Sequence, residues 1–349
     1  MKPGTKSIAQ PVKPAEQTRR RGMREIATSI GVAPITVSRA LRHPDKVSPE
    51  TRRLILEAIE REGFIPNQLA GGMRSAGRII GTVVPPLINS GIAEQVQGMS
   101  DAAHERGYQL LLMQGDFSAE AEEKAIRALL GWKPAGLILQ AFVQSDAARL
   151  FLADCGSAIV EISEIRGREP IDIAVGVSNF DTAYAMTAHL ADKGYRRIAF
   201  VSTPIHGNDR LQQRRIGYRQ ALVDRGMFFA ASLEVEVPIT PKGGADALRI
   251  IMDRDPDVDV IFCSSDTLAI GAVQECHRRG WAIPERLAIA GYGNMDLSAQ
   301  LFPALTTIHV PRYEMGRRAV GELLKRLESG ESSRKMVEIE FEIIERDSA

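Results

Sequence analysis

Apolar positions along the chain follow two different rhythms. Between residues 22 and 66 they recur at helical spacing: Met23, Ile26, Ala27 and Ile30 stand at i, i+3, i+4 and i+7 and stop at Gly31. Val37 and Leu41, four apart, predict a second short helix over about 34–41. Ser48-Pro49-Glu50 opens a third helix, where Ser48 can cap the free N–H groups and Pro49 suits the first turn. Its apolar stripe is Leu54, Ile55, Ala58 and Ile59, ending near Gly63. From Arg78 the rhythm changes to short β-rich runs separated by helical stretches. Ile79–Val84, Leu110–Met113, Leu137–Leu139 and Ile159–Ile162 form one series; Ile198–Val201, Leu233–Val237, Val260–Cys263 and Leu287–Ala290 form another. Strands that are apolar along their whole length and alternate with helices are the mark of parallel sheets covered on both faces. Two series predict two α/β subdomains.

Length and charge sharpen this picture. At roughly 100–200 residues per domain, 349 residues are too many for a single core. Lys+Arg and Asp+Glu are 44 each, and a zero net charge taken alone argues against nucleic acid. The zero conceals a division, however. Residues 1–77 hold 14 Lys/Arg against seven Asp/Glu, and the remainder holds 30 against 37. A small basic N-terminal block on a larger acidic body suggests a nucleic-acid-binding head. Residues 1–21, rich in Pro, Lys, Gln and Arg and poor in large apolar side chains, read as a disordered basic arm. Three cysteines, Cys155, Cys263 and Cys276, without C-x-x-C spacing give neither a disulfide framework nor a zinc site and suit a reducing cytoplasm. No apolar run approaches the ~18 residues of a membrane helix, so no membrane partner is expected.

The segment Met23–Leu41 has the layout of a helix-turn-helix. Small Ala27 allows close approach of the two helices, Gly31 supplies a turn with positive φ, and Val32 and Val37 hold the pair together. The outer face of the second helix then presents Pro34, Ile35, Ser38 and Arg39. Arg39 can donate two hydrogen bonds to guanine O6 and N7, while Thr36 and Ser38 suit phosphate oxygens.

These residues resemble a known family. Met23–Leu41, Val47–Arg52, Gly63–Asn67, a strand starting at Ile80-Gly81, Ser265-Asp266, Gly291-Tyr292 and Pro303–Ile308 occur in the order found in the LacI/GalR family of bacterial transcription regulators. The resemblance runs from Gly22 to about Ile344. Within the family the chain is most similar to gluconate-operon repressors, on the stretches Ile80–Pro85, Asp172–Gly176 and Ala288–Gly291. The resemblance implies an α/β protein: a small all-α helix-turn-helix head (22–66), a hinge helix (67–77) and a periplasmic-binding-protein-like body (78–349). The body's two parallel-sheet subdomains would be joined by three crossing segments. The implied partners are double-stranded operator DNA, a small-molecule effector and a second copy of the chain. Such a homodimer would have part of its interface on the helix near Ile92–Glu105.

The resemblance carries over residue by residue. Pro34, Ile35 and Arg39 stand where family members read bases, and two apolar residues there favour thymine methyls or DNA shape. Ala33 departs from the usual Ser/Thr cap, forfeiting about 1 kcal/mol. In the hinge, which includes Asn67, Met73 occupies the place of a leucine that wedges into the minor groove. Gly71 and Gly72 each cost a helix roughly 1 kcal/mol, so the hinge should order only on DNA.

Ligands of open α/β sheets bind beyond the carboxyl ends of strands. Here those ends carry Pro85–Ser90, Gln140-Ala141, Glu161–Ile165, Thr203–Arg214, Ser264–Asp266 and Gly293–Asp296. Arg214 matches a family arginine that grips the effector, and Arg210 and Asn208 lie on the same approach. Asp266 either contacts the ligand or caps the helix it opens; Glu161 either contacts the ligand or only rims the cleft. Sugar- and purine-sensing relatives often have an aspartate where this chain has Gly293. Losing that negative charge while keeping Arg210 and Arg214 favours an anionic effector, an aldonate such as gluconate; Asn294 instead could hydrogen-bond a neutral sugar.

No enzyme signature competes with this reading. Gly291-Tyr292-Gly293 lacks the third glycine of a dinucleotide fingerprint, the six histidines lack metal spacing, and there is no G-x-S-x-G elbow. The resemblance therefore implies a ligand-responsive repressor of sugar or sugar-acid catabolic genes, without cofactor or metal; the alternative is a regulator of the same architecture that senses a neutral sugar or a phosphorylated ligand, or that acts as an activator.

Overall fold

The chain divides into two units, Met1–Gly72 and Met73–Ala349. The computed structural model describes residues 23–42, 46–61, 78–87, 90–115, 118–140, 146–165, 169–331 and 333–349. The predicted arm, the hinge with Asn67 and Met73, and Ala141 lie outside the described residues.

In the first unit, helix α1 (Met23–Ser29) is closed by Gly31 at φ +69°, which lets the Val32 N–H donate back to the Ala27 carbonyl at 2.9 Å. Helix α2 (Pro34–Arg42) follows at once. Helix α3 (Pro49–Arg61) starts at Ser48, whose hydroxyl accepts from the Thr51 N–H at 3.2 Å. Ile26, Ala27, Val37, Ala40, Ile55 and Ala58 form the core, with Val32, Leu41 and Ile59 packed against it. Leu54, expected on the buried stripe of α3, is 44% exposed. Two short helices cover only a narrow strip of the third, and Ile55 and Ala58 fill it.

The second unit contains two six-stranded sheets. The first uses β1 (Ile79–Val84), β2 (Gln109–Gln114), β3 (Gly136–Gln140), β4 (Ala158–Glu164) and β5 (Ile173–Val177), joined by β11 (Lys335–Glu338). Its order is β11-β5-β4-β3-β1-β2, parallel throughout. The second uses β6 (Ile198–Ser202), β7 (Glu234–Glu236), β8 (Val260–Cys263), β9 (Ala288–Tyr292), β10 (Thr306–His309) and β12 (Glu342–Ile344). Its order is β12-β10-β9-β8-β6-β7, and only β12 runs antiparallel. The interior strands β3, β5, β6, β8 and β9 are buried from end to end, which is why they are continuous apolar runs in the sequence. The strand expected over 233–237 is shorter: Ala231–Leu233 is a 3₁₀ turn, and β7 is an edge strand with glutamates at both ends.

Helices α4 (Ser90–Glu105), α5 (Ala119–Gly131) and α6 (Asp146–Asp154) connect the strands of the first sheet. Helices α7 (Asn179–Asp192), α8 (Asp209–Asp224), α9 (Pro241–Arg254) and α10 (Asp266–Arg278) serve the second. Helix α11 (Arg312–Ser329) leaves the second sheet but packs on α4 and on the first sheet. The chain thus crosses between sheets three times, from β5 into α7, from β10 into α11 and from β11 into β12.

Helices α4 and α11 touch backbone to backbone. A Cβ at Gly98 would overlap the Tyr313 carbonyl, and one at Gly316 would overlap the Gln95 carbonyl. This close approach fixes the first turn of α11 against the middle of α4, and both helices contribute to the wall of the cavity described next. Gly98→Ala should therefore lower the stability of the body by about 1–3 kcal/mol in urea unfolding. Ala is the better helix former by roughly 1 kcal/mol, so unchanged or raised stability would show that the helices are free to separate.

Candidate functional site

At the carboxyl ends of the second sheet's strands lies a cavity of about 370 Å³. The second subdomain supplies most of its wall: Thr203 to Arg214 after β6, Ser264 and Ser265 after β8, and Tyr292 at the end of β9. The first subdomain contributes Ile92 of α4, and Arg312 enters at the start of α11. A smaller cavity of about 130 Å³ adjoins it, sharing Ser265, Tyr292 and Arg312 and reaching Glu94, Asn294 and Asp296.

Helix α8 aims two arginines into the larger cavity. Asn208 caps the helix, its Oδ1 accepting from the Leu211 N–H at 3.2 Å. Arg210 and Arg214, four residues apart, then fall on one face. Arg214 is held on three sides. Its Nε donates to Asn179 Oδ1 at 2.8 Å, a terminal nitrogen donates to the Ser264 carbonyl at 2.8 Å, and its Cζ lies 3.4 Å from the centre of the Tyr292 ring. Burial pulls its pKa below the ordinary arginine value; Tyr292 opposes this shift and Arg312 adds to it. For Arg210, burial together with the neighbouring charges of Arg214 and Arg312 lowers the pKa to about 10. Both guanidiniums remain charged at neutral pH, inside a space that disfavours charge.

Arg312 completes this cationic trio and was not found from sequence. It lies far along the chain, directly after Pro311 at the second crossing, where no local pattern marks it. Gly91 makes room for it: a Cβ there would lie 2.6 Å from Arg312 Nε. That Nε is buried without a hydrogen-bond partner, as is the hydroxyl oxygen of Ser264 on the same cavity. Tyr292 was visible in the sequence only as part of a family motif. In the structure it is a wall of both cavities.

Two of the candidate effector residues are placed elsewhere. Asp266 is fully buried and does not line either cavity. Its Oδ2 accepts from the Met295 N–H at 2.8 Å and the Ser298 hydroxyl at 2.6 Å, and its Oδ1 accepts from the Thr307 hydroxyl at 2.6 Å. Nor does it cap its own helix, because Ser265 does so through the Thr267 N–H. Asp266 is thus a structural tie between β10, α10 and the loop after β9. Glu161, 3% exposed, pairs with Arg149 at 3.0 Å and accepts from the Ile171 N–H at 2.6 Å, away from both cavities. Asn294, at φ +50°, lines the smaller cavity; its Oδ1 accepts from Arg346 at 2.8 Å.

In the head, α2 buries Val37 and Ala40 and turns Pro34, Ile35 and Arg39 outward, with Ile35 58% exposed. Thr36 and Ser38 are half-buried beside them. An exposed isoleucine next to an exposed arginine on a three-helix unit is a surface without an apolar partner inside that unit.

Comparison with known proteins agrees with both units. Residues 22–67 match the description "Bacterial regulatory proteins, lacI family", and residues 187–349 match "Periplasmic binding protein-like domain". The chain is 32% identical to the HTH-type transcriptional regulator GntR of Escherichia coli over 91% of its own length and 96% of that protein's. It is 30% identical to a GntR of Pseudomonas aeruginosa over 98% and 99% of the two chains. Among solved structures, a LacI-family transcriptional regulator from Silicibacter pomeroyi superposes with a TM-score of 0.86 at 29% identity, covering 94% of this chain and 99% of that one.

Asp266→Ala would leave three buried donors without their acceptor, and each such orphan costs about 1–3 kcal/mol. The variant should lose about 2–4 kcal/mol in chemical denaturation, softened by rotation of the two hydroxyls. Loss of ligand binding with full stability retained would instead put Asp266 into the site.

Proposed function

This chain belongs to the lacI family of bacterial regulatory proteins, and on that premise we propose that it senses a polyhydroxylated carboxylate, an aldonate such as gluconate. It is a DNA-binding repressor of sugar catabolism and not an enzyme. One observation carries the effector reading. Of the described residues lining the larger cavity, three are arginines and none is Asp or Glu. Three like charges in a space of low dielectric repel one another, and an entering carboxylate offsets that repulsion while accepting their N–H groups. Thr203, Asn208, Ser264, Ser265 and Tyr292 supply donors and acceptors for a polyol chain. Glu164 offsets part of the charge on Arg210 and Arg214; a neutral sugar would satisfy the hydroxyl partners but add no negative charge to the three guanidiniums. The similarity to proteins named GntR agrees with an aldonate.

The head completes the function. Arg39 reads guanine through O6 and N7, Pro34 and Ile35 meet thymine methyls, and Thr36 and Ser38 hold phosphates. Asn67 and Met73 belong to the hinge, with Met73 as a minor-groove wedge. Two copies bind adjacent half-sites as a homodimer. No helix among the described residues is long and apolar enough to cross a membrane, and the proposed site of action is the chromosome in the cytoplasm. Ligand entry between the subdomains changes the spacing of the two heads. A coupling of about 1–3 kcal/mol changes operator affinity 5–150-fold, and repression relieved by ligand is the proposed direction.

Two measurements test this. Titration calorimetry should show gluconate binding and no comparable binding of glucose or sorbitol. Arg214→Met should weaken gluconate by at least ~30-fold, the cost of removing one partner of a desolvated charge pair; binding of neutral sugars alone would refute the anion reading. For the head, Arg39→Ala should relax base preference at one position of a selected duplex, at a cost of about 1–3 kcal/mol, with gluconate binding unchanged. If that variant lost gluconate binding, the separation into reader and sensor would be wrong.

A further inference from the structure

Hydrogen bonds from both subdomains meet at Asn179, a residue that none of the motifs singles out. It is the first residue of α7, directly after β5, and so stands on the first crossing between the two sheets. It is 1% exposed. Its side-chain Oδ1 accepts from two groups of the cavity wall: Arg214 Nε at 2.8 Å and the Tyr292 hydroxyl at 3.1 Å. Its backbone N–H donates to Glu164 Oε2 at 3.3 Å, on the last residue of β4 in the first sheet. One amide oxygen therefore gathers an arginine of α8 and a tyrosine of β9, while its own backbone is joined to the first subdomain.

We propose that Asn179 is a positioning residue that fixes Arg214 for an anionic effector and ties that grip to the first crossing between the subdomains. The inference rests on the anionic-effector reading above. Arg214 has five N–H groups in a planar fork. Asn179 takes the Nε proton and the Ser264 carbonyl takes one from a terminal nitrogen, so the fork is held at one end and along one edge. The opposite edge keeps its donors for a ligand, and the Tyr292 ring blocks rotation out of plane. A guanidinium held in this way meets a carboxylate without first losing rotamer freedom, which is the advantage of a preorganised site. A pull on Arg214 also reaches the crossing directly, because the acceptor that holds it is the residue at which the chain passes from one sheet to the other. Asn suits the position because its uncharged oxygen accepts two hydrogen bonds without neutralising Arg214. A carboxylate there would pair with the guanidinium and compete with the ligand.

The test combines calorimetry and operator binding on the full-length protein. Operator DNA is a duplex that the wild-type protein selects from a random pool. Asn179→Ala should weaken gluconate 10–100-fold. At saturating gluconate, the ligand-induced change in operator affinity should shrink to less than half of the wild-type fold-change. In an Arg214→Met background, the same substitution should have no further effect on gluconate, because the residue it positions is gone. Tyr292→Phe, which removes only one of the two donors, should weaken gluconate less than Asn179→Ala. A structural role alone would give additive losses in the double variant and would leave the operator fold-change intact; either result would overturn the proposal. Asn179→Ser, too short to reach both donors, gives the same reading if the alanine variant does not fold. Should the wild-type protein not bind gluconate at all, the effector reading fails and this inference with it. Wild-type binding that Asn179→Ala leaves unchanged overturns the positioning role alone.

Discussion

Three guanidiniums sharing one cavity form the constraint around which the body is arranged. Arg210, Arg214 and Arg312 come from two helices whose helical neighbours lie in different subdomains, and burial together with neighbouring positive charge weakens the hold of Arg210 and Arg214 on their protons. Fixed dipoles and a ring face hold the cluster's central member: the Asn179 amide, the Ser264 carbonyl and Tyr292 surround Arg214. The glycines follow from the same demand. Gly91 makes room for the Arg312 side chain, and Gly98 and Gly316 bring α4 and α11 together behind it. Two nearby carboxylates are drawn into structural work, with Asp266 enclosed by three donors and Glu161 paired with Arg149, while Glu164 offsets part of the positive charge on Arg210 and Arg214.

The same separation of charge acts on the scale of the whole chain. The excess of basic residues lies in the first 77 positions, where a reader of DNA must meet phosphates in an affinity that falls with salt. The remainder is acidic overall, which discourages the larger surface from lying on DNA. Within that acidic body the effector cavity is a local cationic exception. A long-range field that disfavours nucleic acid is compatible with the proposed attraction of a small anion by a desolvated cluster, because buried charges interact at short range and are little screened.

Much of the fold was legible because burial on both faces writes itself into sequence. β3, β6, β8 and β9 are apolar without interruption, and the turn at Gly31 is marked by a residue tolerant of positive φ. The edge strands β11 and β12 were not seen, since Lys335, Met336 and Glu338 face solvent and only Val337 is buried. Leu54 shows the opposite limit: helical spacing identifies a face but not how much of it neighbours will cover. At the site, Arg210, Arg214 and Asn208 were legible because they share one helix start. The tie made by Asp266 has no local signal, because its partners Met295, Ser298 and Thr307 are 29 to 41 residues further along the chain. Arg312 and Asn179 were missed for a related reason. Each stands where the chain crosses between sheets, and a crossing has no periodicity of its own.

On the proposed reading, ligand charge, and not hydroxyl pattern alone, operates the switch. Gluconate and gluconamide present the same hydroxyl chain and differ at the carboxylate, so they isolate that variable. Fluorescence anisotropy of labelled operator DNA, titrated with the full-length protein at saturating concentrations of each, measures it directly. Gluconate should shift operator affinity about 5–150-fold, while gluconamide should leave it at the ligand-free value. Equal shifts by both compounds would contradict that reading.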